Sequence, residues 1–285
     1  MKVPTHSSTS PPASGIPTRT RPHVSRLLRI FQVVVTIAAL LIITSLVTNP
    51  NFQWDVVGQY LFDPTILAGV WVTVWITFAC MGIAVVLGLI LAFMGMSKSR
   101  FVTGAAEVYI AFFRGTPLLV QLIFWYNIAA LYPDFTLGIP FGPQFAELDL
   151  NAIIVPIAAA IIGLALNEAA YMAEIVRGGL NSIQRGQMEA AAALGLDGWT
   201  QARRVIIPQL LPIVIPPTWN QLIAMLKNTS LISVIGATEL LYTAQSIYAR
   251  NYQTIPLLIV ASIWYLALSI ALTVAQRGIE KAVKR

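Results

Sequence analysis

Four ionisable side chains sit in stretches otherwise fit for hydrocarbon: Arg114, Glu168, Glu174 and Lys227. A charge at bilayer depth costs about 2.5–3.5 kcal/mol on insertion scales, so each is read first as a functional group. The planar fork of Arg114 suits a carboxylate. Its neighbours Gly115 and Pro117 loosen a helix and free backbone groups, as transporter sites commonly do, and Thr116 between them adds a hydroxyl. If helix geometry holds, Gln121 falls two turns on, on the Arg114 face. Glu168 lies about 14 Å deeper than Arg177 by helical rise, and its carboxylate can take an ammonium group. Asn167, Tyr171 and Glu174 share one stripe at +4 and +3 spacing, whereas Glu168 and Glu174 stand about 120° apart around the helix. Arg114 and Glu168 together offer partners for both ends of a zwitterion. Plainer readings stay open. Arg114 can pair with Glu107 or Glu174, Glu168 with Lys227 or Arg114, and Glu174 with Arg177 near the inner interface.

The elements that must position these groups are membrane helices. Of 285 residues, 57% are hydrophobic and 11% charged, against about 25% charged in soluble domains. Residues 30–47, 64–97 and 251–276 carry no charge, and about 20 apolar residues span a 30 Å hydrocarbon core. The run from Pro64 is too long for one upright span, so part of it tilts or leaves the hydrocarbon. Three more spans hold an interrupting polar group, which gives six, near residues 28–48, 66–94, 106–131, 152–174, 209–233 and 254–275. The net charge of +6 follows the topology: 15 of the 18 basic residues fall in the two termini and the alternate loops that join them on one side. The other loops hold Arg250 with Asp55, Asp63, Asp134, Glu147, Asp149 and Glu239. Basic loops stay in the cytoplasm, so both termini are expected inside. This placement excludes a nucleic-acid footprint. Cys80, alone in an apolar span, excludes an intramolecular disulfide and reads as a small core hydrophobe. His6 and His23 have no metal-type neighbours in the sequence.

Residues 1–26 are rich in Pro, Ser and Thr and are expected to form a disordered cytoplasmic tail. Residues 27–50 form an N-terminal transmembrane helix: its apolar run exceeds a signal-peptide core and no A-x-A-like site follows. The main transmembrane domain covers 65–275, and 276–285 is a basic cytoplasmic tail. The outer loop at 132–149, with three prolines and two glycines, favours turns over regular structure. The inner loop at about 177–207 reads as short helices broken by glycine. It carries Glu189-Ala190-Ala191-Ala192-Ala193-Leu194-Gly195, then nine residues, then Val205-Ile206-Ile207-Pro208. The alanines favour a thin helix, and Gly195 can end it in a left-handed cap. Such a knob between two membrane helices suits docking into a partner's groove.

This pattern resembles the EAA motif of ABC importer permeases: E-A-A, three residues, Gly, nine residues, I-x-L-P, with Val205 and Ile207 as mild departures. Phe113-Arg114-Gly115-Thr116-Pro117-Leu118-Leu119-Val120-Gln121 is similar to the F-R-G-T-P-x-x-x-Q segment of polar amino-acid permeases. So is the stretch from Ala170-Tyr171-Met172-Ala173-Glu174 to Arg177-Gly178-Gly179. Leu226-Lys227-Asn228-Thr229-Ser230-Leu231, followed by Val234-Ile235-Gly236, resembles that group's L-K-D/N-T/S-S-L segment. The resemblance covers about residues 65–275. It implies an all-α transmembrane fold, with a five-helix type I importer core plus one extra N-terminal helix. It also implies that Glu189, Ala190, Ala191, Gly195 and Pro208 belong to the loop that couples to an ATPase, and that the Lys227 segment lines the pathway or gate. The implied partners are two ATPase subunits, a second permease subunit (the same chain or a paralogue) and an extracytoplasmic solute-binding protein. The implied place is the bacterial inner membrane.

No G-x-x-x-x-G-K-[ST] occurs, so ATP and Mg are expected on the partner ATPase and no cofactor on this chain. An ion-coupled secondary transporter would also use broken helices and intramembrane charges, but it leaves the Glu189 loop unexplained. A membrane enzyme using Glu168 and Glu174 as acid and base is disfavoured by their different faces. The substrate expected is a polar amino acid, its side chain unspecified.

Overall fold

A computed structural model describes residues 26–138 and 144–283. Residues 1–25 of the tail expected at 1–26, the loop centre at 139–143 and the last two residues lie outside the described residues, and Arg26 begins a helix. The chain divides into two units, 1–52 and 53–285. The first unit contributes helix α1 (Arg26–Thr48), whose apolar side chains from Leu28 to Val47 are exposed, as suits a helix solvated by lipid. A short 3-10 turn, Pro50–Phe52, follows it.

The second unit is built on two long helices. After α2 (Trp54–Leu61), the uncharged run becomes α3 (Pro64–Gly95), one unbroken helix of 32 residues. Asp63 caps it by accepting the Thr65 N–H at 2.8 Å, and Pro64 fits its first turn. At 1.5 Å per residue it spans about 48 Å, more than a bilayer core, so an unbroken helix of this length has either to tilt or to leave the hydrocarbon in part. Then come α4 (Arg100–Gly115), α5 (Leu118–Tyr126) and α6 (Ile128–Leu131). The expected third span, 106–131, is not one straight helix. It breaks between α4 and α5 with a bend of 103°, because Pro117 has no N–H and disfavours helical backbone at Thr116.

The outer loop also departs from expectation. Strands β1 (Asp134–Gly138) and β2 (Gln144–Asp149) pair antiparallel, Asp134 opposite Asp149, with an irregularity at Leu137/Gly138. Pro and Gly marked the turn but concealed the alternating segments beside it, Phe135–Leu137 and Phe145–Leu148. The all-helical class therefore holds for the membrane part, with this hairpin as an appendage.

The chain continues through α7 (Leu150–Ile153) into α8 (Pro156–Ser182), then α9 (Arg185–Ala193) and α10 (Gly198–Gln201). A π-helical turn, Ala202–Ile206, leads into α11 (Ile207–Asn228) and a 3-10 segment, Thr229–Ile235. The last helices are α12 (Leu240–Asn251) and α13 (Thr254–Val283). Among the described residues four helices, α1, α3, α8 and α13, are long and apolar enough to cross a membrane alone, and the bent α4–α5 pair makes a fifth. Helix α11, expected as a span, has the length but carries Pro212, Pro216 and Pro217 in its interior along with several polar residues.

Helix α8 is the centre of the unit, packed against α3, α4, α5 and α11. Its buried face is mostly Ala and Gly, the residue types that let membrane helices approach closely. The approach is tight at Gly88 of α3, where a Cβ would stand 2.5 Å from Met172 Cβ. Cys80 is fully buried in the core beside Ile76, Leu122 and Leu164, as its reading as a small hydrophobe requires.

Candidate substrate site and coupling loop

The α4–α5 break leaves backbone carbonyls without helical partners, and these must be satisfied inside the protein because hydrocarbon offers nothing. Gln121, buried on α5, does this. Its amide donates to Phe113 O at 3.0 Å, Thr116 O at 3.1 Å and Thr116 Oγ1 at 2.6 Å. Asn167, buried on α8, donates to the same Phe113 carbonyl at 2.8 Å and to Gln121 Oε1 at 3.1 Å. Tyr109 pins α4 to α8 by donating to Leu166 O at 2.9 Å. Gln121 and Thr116, expected as pathway residues, are thus tied into a knot that fixes the bend.

The stripe of Asn167, Tyr171 and Glu174 faces this bend. Arg114, its side chain 42% exposed, lies 3.4 Å from Glu174 and 5.3 Å above the Tyr171 ring. Glu174 gives its closer contacts to Arg177, at 2.7 and 2.9 Å. Arg114 therefore makes the longer ion pair, and among the described residues its fork donates no hydrogen bond. Arg114, Glu174 and Arg177 line a cleft of about 290 Å³ with Glu107, Ile110 and the C-terminal end of α3. Glu168, by contrast, faces away from the stripe. It is 3% exposed, and its Oε1 has no hydrogen-bond partner among the described residues. The structure brings Arg114 to Glu174 and not to Glu168. Lys227 is exposed at the end of α11 and pairs with no carboxylate among the described residues.

The inner loop folds as the sequence indicates. Gly195 takes φ +70°, a left-handed cap. Its N–H donates to Ala192 O at 2.9 Å and that of Leu196 to Ala191 O at 3.2 Å, the paired bonds of a Schellman ending. Asp197 caps α10, and the Thr200 hydroxyl first, then backbone N–H groups, hold its carboxyl below the usual range. Gln201 Nε2 reaches back to Met188 O at 2.7 Å and ties the two short helices into one knob. Ala191 is buried, whereas Glu189, Ala190, Gly195, Pro208, Leu194 and Trp199 are exposed. Leu194 and Trp199 were not singled out in the sequence. Their signal was two large apolar residues flanking the cap in a polar loop.

With this geometry in place, comparison with known proteins identifies the family. The family model described as "Binding-protein-dependent transport system inner membrane component" matches residues 84–285. An arginine transport system permease protein of Corynebacterium glutamicum is 43% identical over 251 residues, which are 87% of this chain and 77% of that protein. A glutamine transport system permease protein of Escherichia coli is 34% identical over 234 residues, 82% of this chain and 99% of that protein. Among solved structures, the crystal structure of an amino acid ABC transporter with histidines aligns at a TM-score of 0.64 with 33% identity, covering 77% of this chain and 94% of that chain. The chain belongs to the family of binding-protein-dependent transport system inner membrane components and, within it, to the amino-acid ABC transporter permeases.

Proposed function

We propose that this chain moves a polar amino acid into the cytoplasm as half of a two-permease pore, with Arg114 gripping the substrate carboxylate in the cleft between α4 and α8. The observation that carries this reading is the incomplete pairing of Arg114. Glu174 is bound closely by Arg177, so the Arg114 fork holds the longer ion pair on the open side of a cleft. A substrate carboxylate gains a bidentate partner there without stripping Glu174 of its own. Glu174 and Glu107 are the acceptors for the ammonium end in this cleft, with Tyr171 beside Arg114, while Glu168, off the stripe, takes the ammonium group further along the path with Lys227. The arginine permease of Corynebacterium glutamicum, by its similarity, supports a cationic amino acid as the first substrate to try.

The remaining parts follow the same reading. Two ATPase subunits carry ATP and Mg and receive the knob of α9 and α10 through Glu189, Ala190, Ala191, Gly195 and Pro208. A solute-binding protein delivers substrate from outside, and both termini lie in the cytoplasm beneath a bacterial inner membrane. The domain limits proposed are those read from the sequence, 27–50 for the added helix and 65–275 for the permease domain.

Uptake of labelled arginine into proteoliposomes holding the permease, its ATPase and the binding protein tests the site. Arg114→Lys keeps the charge but loses the fork, and uptake efficiency should fall about tenfold, a change of about 1.4 kcal/mol. Glu168→Gln should weaken uptake of substrates with a free amino group while leaving assembly intact. Wild-type rates in both variants would show these charges to be structural and move the site elsewhere.

A further inference from the structure

Glu239 reads as an outer-loop acid in the sequence, yet its side chain is fully buried. It stands at the N-cap of α12, where Oε1 accepts the Tyr242 N–H at 2.7 Å. Oε2 accepts from the Tyr265 hydroxyl of α13 at 2.5 Å and from the Thr73 hydroxyl of α3 at 3.4 Å. Thr73 Oγ1 in turn accepts the Leu240 N–H at 3.2 Å. One turn before Thr73, a Cβ on Gly69 would stand 3.0 Å from Leu240 Cα, so α3 and α12 meet at backbone range. A single carboxylate therefore joins three helices in a region whose other buried groups are apolar side chains and hydroxyls.

Two residues separate this junction from Gly236, which takes φ +77° and turns the chain out of the 3-10 segment Thr229–Ile235. Ile232, Ile235 and Ala237 are buried in one cluster with Leu122 of α5, the residue after Gln121. An anchor at Glu239 thus fixes where Thr229–Ile235 lies against the broken span, and with it the residues 227–230 that begin the segment. We propose that Glu239 is a positioning residue for transport, holding Thr229–Ile235 in register against α5 while substrate passes. The proposal rests on the reading of the Lys227 segment as pathway or gate.

Donor chemistry separates the variants. Hydroxyls can reverse and accept, but a backbone N–H can only donate. Glu239→Gln can keep its oxygen on the Tyr242 N–H and offer its NH₂ to Tyr265, so it is the conservative change. Glu239→Leu removes every arm, and Tyr265→Phe removes the α13 arm alone, which keeps the test open if the leucine variant misfolds. Two measurements on the assembled complex in nanodiscs and proteoliposomes decide. Amide exchange over Thr229–Ile235 should rise at least tenfold in Glu239→Leu and Tyr265→Phe with α8 unchanged, and stay within about twofold of wild type in Glu239→Gln. ATP hydrolysed per labelled arginine imported should rise at least fivefold in the first two variants and not in the third. Unchanged exchange would remove the anchor. Raised exchange with a wild-type ratio of ATP to import would make the contact merely structural. If the wild-type complex imports none of the amino acids tried, the transport reading falls, while the exchange result still decides whether Glu239 anchors the segment.

Discussion

Gln121→Leu separates the two roles a polar residue can play in this span. The substitution conserves volume roughly but deletes three donated bonds and one accepted bond at a side chain that is 4% exposed. Phe113 O keeps Asn167 as a donor. Thr116 O and the second Asn167 amide hydrogen are left without partners. An orphaned buried polar group costs about 1–3 kcal/mol. Thr116 is half-buried, so water relieves part of that cost, and the loss expected is about 2–4 kcal/mol. Equilibrium unfolding of the purified permease in mild detergent, with the signal read from its tryptophans, measures it. Uptake below the unfolding transition should keep the wild-type KM, because the amide that a substrate would need is already committed to the bend. Unchanged stability with a tenfold rise in KM would refute this argument and return Gln121 to the substrate.

Two further changes test the coupling knob and the α3–α8 contact. Gly195→Asp places a Cβ at a left-handed position, costing about 1–2 kcal/mol, and adds a charge to the exposed face proposed to dock the ATPase. Membrane insertion should survive while ATPase stimulation by the loaded binding protein is lost, and Gly195→Asn, which tolerates that backbone, should retain most of it. Gly88→Ala puts a Cβ 2.5 Å from Met172 Cβ and 3.0 Å from the Ala169 carbonyl. Overpacking of that kind costs about 1–3 kcal/mol, so detergent stability should fall, with partial rescue by Met172→Gly and none by Met172→Ala.

Much of this architecture was legible because lipid is a simple solvent. The uncharged runs gave α1, α3 and α13, and the alternation of basic loops gave an expected orientation. Gly195 announced its own cap, since a left-handed ending at that place is what glycine does cheaply. The break at Gly115-Thr116-Pro117 was visible as a loosened helix, but its 103° bend was not. Proline removes a bond without saying where the chain turns next. Helix α11 shows the converse: Pro212, Pro216 and Pro217 sit inside one continuous helix, because packing against α8 and α13 holds it together. Glu239 was hidden for a different reason. Its partners Thr73 and Tyr265 lie 166 and 26 residues away, and no local spacing marks a carboxylate that is satisfied from such distances.

The same limit applies at the candidate site. Asn167 and Glu168 are neighbours in sequence and both polar in an apolar helix, and the charge alone singled out Glu168, leaving Asn167 as a member of the stripe. Placed on α8 they part by about 100°. Asn167 turns to the bend and its amide donates two bonds there, whereas Glu168 is carried off that face with one oxygen unpartnered among the described residues. A buried polar atom without a partner is costly, and a helix this rich in Ala has ample room in its sequence for an apolar residue at that place. Asn167 is accounted for by the bend it closes. Glu168 makes no hydrogen bond or ion pair among the described residues, which is why it, rather than Asn167, belongs with Arg114 among the groups to be tested by transport.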